Sequence, residues 1–117
     1  MQANDGLGRV KRICSRMREV KLIRGSDIDV WTAVRERVEK KDYDRRVIVN
    51  YDFYLANLTT GVETRVLKGY AVGIGRIQFG FAALFVVGEG GLNKGCTESL
   101  TAIRLRDISD VYIFDRD

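Results

Sequence analysis

From Arg46 onward the chain adopts a period of two, and that alternation restricts its fold more than any other feature. Val47, Val49, Tyr51, Phe53 and Leu55 fall on one side of an extended chain, and Ile48, Asn50, Asp52 and Tyr54 on the other. Apolar residues at every second position mark a half-buried strand. Asn57 to Gly61 is turn chemistry, so Val62 to Val72 reads as a second strand folding back as a hairpin. A third strand is predicted over about Arg76 to Val87, with Ile77, Phe79, Phe81, Ala83, Phe85 and Val87 alternating against Gln78, Gly80, Ala82, Leu84 and Val86. Its second half is apolar on both sides, which predicts a central strand. The Gly-rich loop Gly88 to Gly95 leads to a fourth strand at about Thr97 to Arg106. Residues 107 to 110 then read as a tight turn before a short last strand, Val111 to Phe114.

Nine of the twelve glycines lie between Gly61 and Gly95, many inside strand patterns, where they permit sharp bends and close backbone approach. The expectation is a strongly bent antiparallel sheet of about five strands, open or closed into a small barrel.

The segment before the sheet has helical periodicity. Leu7, Val10, Ile13, Cys14, Met17 and Val20 share one arc of a helical wheel, Leu22 and Ile23 break the period, and Gly25 offers a C-terminal stop. Ser26, with Asp29 three residues on, is an N-cap signature for a second helix over about 27 to 41, whose apolar side is Ile28, Val30, Trp31, Val34 and Val38. The fold class expected is therefore α+β: two N-terminal amphipathic helices (7–41) and a β part (46–114) in one domain. A length of 117 residues with five Phe, five Tyr and one Trp suits a single core.

The stretches VIVNYD, GVETRVLKGYAVG, LFVVGE and IRLRDISDVYIF, the last with a strand, a one-turn break and a short closing strand, resemble the SH3/Sm-like small barrels, WYL-type members included, over residues 46–114. The resemblance implies a module that binds nucleic acid, peptides or small regulatory ligands, as such barrels often do as homo-oligomers, and of a kind that rarely catalyses.

The residues themselves carry little chemistry for an enzyme. There is no histidine, which removes the usual general base and the commonest metal ligand, and Cys14 and Cys96 alone cannot close a zinc site. GIGRIQFG (73–80) has the wrong glycine spacing for a dinucleotide turn and continues as a strand, and GEGGLNKG (88–95) lacks the Lys-Ser/Thr pair of a phosphate loop. Asp52, Glu63, Glu89, Glu98, Asp107 and Asp110 show no spacing that makes an acid/base pair or a cation site. No catalytic residue, metal or cofactor is expected. The longest uncharged run, Ile77 to Gly88, is well short of the roughly 18 to 20 apolar residues of a membrane span, and no secretory pattern opens the chain, so a cytoplasmic location is expected.

Binding is the remaining class. Arg9, Lys11, Arg12, Arg16, Arg18, Lys21 and Arg24 stand against only Asp5 and Glu19 in the first 24 residues, while the remainder carries thirteen basic and fourteen acidic residues. Such a concentration of charge is the footprint of a nucleic-acid contact. The same bases could instead stay solvated on a helix that docks its apolar arc on the sheet. A membrane surface is less well served, because the arc has no Trp or Phe. Tyr51, Tyr54 and Tyr70 are possible stacking platforms. The alternative function is a small-ligand or protein-interaction module, with an apolar pocket between helices and sheet lined by Trp31, Tyr51, Phe53, Phe79 and Phe81, or a dimer seam at Leu84 and Val86.

Overall fold

A computed structural model describes residues 22–54, 61–89 and 99–114 of the chain. Strand β1 (Leu22–Ile23) is followed by helix α1 (Asp27–Glu39), then β2 (Arg46–Tyr54), β3 (Val62–Arg76), β4 (Ala82–Gly88), β5 (Leu100–Arg104) and β6 (Ile108–Ile113). The sheet runs β5-β4-β3-β2-β6 with antiparallel neighbours, and β1 adds to β3 in parallel.

This corrects the expected fold class. The described residues hold one α-helix and six strands and are mostly β, not two helices followed by a sheet, and the outer strands β5 and β6 do not pair, so the sheet is not closed. The first predicted helix lies outside the described residues up to Lys21. Immediately after it, Leu22 and Ile23, the pair that broke the helical period, are extended and aligned with Ile74 and Gly75 of β3. Glycines in β3 make room for them: a Cβ on Gly73 would lie 2.8 Å from Ile23 Cδ1, and one on Gly75 would lie 3.1 Å from Ile23 O.

Helix α1 begins where its cap places it. Ser26 Oγ accepts from Asp29 N–H at 3.2 Å, and Asp29 Oδ2 accepts from Ser26 N–H at 3.2 Å, a reciprocal capping box. Val30, Val34 and Val38 form its buried stripe against Ile23, Val72, Ala83, Phe85 and Val87 on one side of the sheet. On the opposite side, Val47, Val49, Ala71, Ile74, Leu84, Val86, Ile103, Leu105, Ile108 and Val111 form a second core as the bent sheet folds over itself. Strand β4 serves both cores with alternate residues and is buried from Ala83 to Gly88, as its two-sided apolar sequence predicts.

Several boundaries move: the second strand, expected to end at Val72, runs on to Arg76, and the helix expected to reach residue 41 ends at Glu39. The predicted third strand divides at Gln78–Gly80, a turn between β3 and β4. The turn predicted at 107–110 is instead a 3-10 turn at Leu105–Asp107, and β6 has already begun at Ile108.

Candidate nucleic-acid interface

Of the seven basic residues singled out near the N-terminus, Arg24 is described, exposed between β1 and α1; Arg9, Lys11, Arg12, Arg16, Arg18 and Lys21 lie outside the described residues. A second group of arginines, which sequence reasoning missed, surrounds the β3–β4 turn. At its centre Phe79 (φ 62°, ψ 16°) and Gly80 (φ 76°) both have positive φ, the requirement of the tight turns that suit the twist of a β-hairpin. Asn-Gly is the usual occupant of that pair. Here a phenylalanine holds the first position with its side chain 93% exposed, so the left-handed backbone is not repaid by packing.

The register of the sheet sets the cations beside it. Arg76 on β3 is opposite Ala82, and Arg104 on β5 is opposite Ala83, so the two flank β4 just after Phe81. Arg76 Nη1 donates to Gly80 O at 2.9 Å, which pins the turn. Phe81 is half-buried, with the Arg104 guanidinium 5.2 Å and the Arg106 guanidinium 5.5 Å from its ring centroid, both within cation–π range. Arg104 Nε also donates to Asp107 Oδ2 at 2.7 Å; Asp107 is buried, so this carboxylate fixes the guanidinium in place. Three arginines, one paired acid and one bare aromatic ring thus share one end of the sheet. Chemically, the arrangement can offer a stacking face and charge to an anion. The available signal in the sequence was the dipeptide Phe79-Gly80 between two strand patterns, a hairpin turn carrying an unusual first residue.

The five residues assigned to a pocket between helices and sheet are not brought together. Trp31 is on the helix side, edge-on to Phe85 at 5.0 Å between ring centroids and with the Arg35 guanidinium 5.6 Å from its own ring. Tyr51 packs against the core of the opposite face. Phe53 is partly exposed beneath the Arg65 guanidinium at 3.7 Å, and Phe79 and Phe81 belong to the turn just described. The alternation placed these rings correctly along their strands in part, but it carries no information on which face the helix covers. A cleft of about 270 Å³ does exist, between the end of β2, β5 and the turn that follows β5; Tyr51, Phe53, Tyr54, Ile103, Arg104 and Asp107 are among its lining residues. Leu84 and Val86 are fully buried within one chain and cannot form a subunit seam. Of the stacking tyrosines, Tyr54 is exposed, while Tyr70 lies against Tyr43 with ring centroids 5.7 Å apart.

The carboxylates are dispersed: Glu63 pairs with Arg65 at 2.9 Å, Glu89 with Arg46 at 2.9 Å, and Asp107 with Arg104. Among the described residues no three His, Cys, Asp or Glu cluster to hold a metal ion, and no helix is long and apolar enough to cross a membrane. No protein-family model matches the chain, and no curated protein and no solved structure is significantly similar to it, so the reading of the site rests on its own residues.

Proposed function

We propose that this protein is a non-catalytic nucleic-acid-binding module that uses both its N-terminal basic residues and the arginine-flanked turn at Phe79. The observation that carries the proposal is Phe79 itself, a ring 93% exposed on a left-handed backbone. Strained backbone clusters at binding and active sites, and a ring so exposed has almost no packing within the chain to account for the strain. Exposed aromatic rings beside arginines are the elements of single-strand binding, where bases stack and phosphates meet cations. The seven basic residues from Arg9 to Arg24 supply the long-range attraction.

The likeness to SH3/Sm-like barrels belongs to this proposal as well. It is supported by the succession of β5, a single turn at Leu105–Asp107 and a short closing β6, and it concerns strand succession, since the sheet is open. A cytoplasmic location accords with such a partner. A small-ligand role is the second reading. The cleft beside Tyr51 and Phe53 favours it, although its volume of about 270 Å³ is at the small end for ligand sites, which span roughly 300 to 1,000 Å³.

The test is fluorescence anisotropy with labelled single-stranded RNA and DNA, on wild type and on the variant carrying Arg12→Glu, Arg16→Glu and Arg18→Glu. If about five cations meet phosphates, wild-type affinity falls roughly 10² to 10³-fold between 50 and 200 mM salt, and the triple variant loses most of its binding. Equal binding by the two proteins overturns the role of the N-terminal bases.

A further inference from the structure

We propose that the edge of β3 away from β2 is the seam of a homodimer, in which Val62 to Val66 pairs antiparallel with the same segment of a second copy. Strand β3 pairs with β2 from Val62 to Tyr70, but with β4 only from Gly69 onward. On the side away from β2, residues 62 to 68 therefore meet no other strand among the described residues. Val62 is 57% and Val66 58% exposed, and Glu63, Thr64 and Arg65 between them are exposed too. An edge that no described residue covers, with two exposed valines, is a template for strand addition, which proteins otherwise blunt with charge.

Here the charges are arranged to select a copy of the same edge. The segment reads Val-Glu-Thr-Arg-Val, and its chemistry is complementary to its own reverse. A two-fold axis through Thr64, perpendicular to the sheet, sets Val62 against Val66, Glu63 against Arg65 and Thr64 against Thr64, and by symmetry each unlike pair occurs twice. Faces match as well. Glu63 and Arg65 lie on the face that carries Phe53, which is opposite Glu63, whereas Val62, Thr64 and Val66 lie on the face of Tyr54, which is opposite Val62. Shifting the axis by one residue places Arg65 against Arg65, so the charges also fix the register. In one copy Arg65 Nε donates to Glu63 Oε2 at 2.9 Å with its guanidinium 3.7 Å from the Phe53 ring centroid, which keeps both charged groups on the face where their partners arrive. The homo-oligomer expected from sequence thus gains a seam other than the buried Leu84 and Val86.

The test is sedimentation equilibrium of the full chain under reducing conditions, with circular dichroism on each variant. Wild type is expected to move from monomer to dimer mass as concentration rises. Glu63→Arg and Arg65→Glu, each of which converts two attractive pairs into two repulsive ones, weaken the dimer roughly ten- to thirty-fold, and the double exchange restores it. As a second measurement independent of the charge variants, Thr64→Cys in a Cys14→Ser, Cys96→Ser background is expected to cross-link with itself on mild oxidation faster than Val62→Cys does, because only Thr64 faces its own copy. A wild type that stays monomeric throughout, a dimer indifferent to the charge exchange, or equal cross-linking at Thr64 and Val62 overturns the proposal.

Discussion

Replacing Phe79 with glycine separates what the residue does for the fold from what it does for a ligand. Its backbone (φ 62°, ψ 16°) lies in the left-handed region, which costs an L-residue about 1 to 2 kcal/mol and glycine almost nothing. Glycine returns part of that gain through the greater freedom of the unfolded chain, roughly 0.5 to 1 kcal/mol. The ring is 93% exposed, so little packing is lost. The net expectation is that Phe79→Gly is more stable than wild type by about 0.5 to 1 kcal/mol, a rise of roughly 2 to 5 °C in melting temperature for a domain of this size. Phe79→Ala keeps the strain and loses the ring, and so should melt within about 0.5 kcal/mol of wild type. Both variants should lose single-strand affinity by roughly 5- to 100-fold if one base stacks on the ring, as stacking is worth about 1 to 3 kcal/mol. Differential scanning calorimetry and anisotropy titrations on the three proteins provide both quantities. Phe79→Gly melting at or below Phe79→Ala would refute the strain, and unchanged affinity in both would refute the stacking role.

Two further predictions concern the scaffold. A Cβ on Gly69 would lie 2.0 Å from Val87 O, a backbone atom that cannot move without parting β3 from β4. Gly69→Ala should therefore cost about 3 kcal/mol, read as a lower urea midpoint, and a loss under 1 kcal/mol would show that the strands can separate cheaply there. The Ser26 side-chain and backbone hydrogen bonds hold the Asp29 carboxyl below its ordinary value of 3.8. A lowered carboxyl pKa stabilises the fold above that ordinary value and ceases to do so as the pH falls through its value in the folded protein. Ser26→Ala should thus destabilise at neutral pH, and the gap to wild type in thermal melts should narrow below about pH 4; a gap that stays constant with pH contradicts the capping-box account.

What the sequence made legible was chemistry confined to a few neighbouring residues. Ser26 and Asp29 announce a helix start because both partners of the capping box lie within one turn, and α1 begins there. The alternation from Arg46 identifies β2 because a period of two is written in consecutive side chains. Features decided by distant partners were not legible. Leu22 and Ile23 carry no period of their own and become a strand only because Ile74 and Gly75 receive them. The supposed pocket failed because Trp31 and Tyr51 face different cores, and the side of the sheet taken by the helix is not encoded in either strand's alternation. Phe79 was read as one more inward residue since Ile77 and Phe81 continue its alternation, whereas the turn reverses the chain between them, with Ile77 N donating to Phe81 O at 2.8 Å.

The central claim, that Phe79 and its arginines take an unpaired strand, is tested most directly by competition: a labelled single strand bound to the wild-type protein is displaced by the same sequence as a single strand or as a duplex, at one fixed salt concentration. The single strand should compete at least about ten-fold better, because only unpaired bases can lie on a ring at a hairpin tip. Equal competition by the duplex would mean that charge alone is recognised and that the exposed ring has no part in binding.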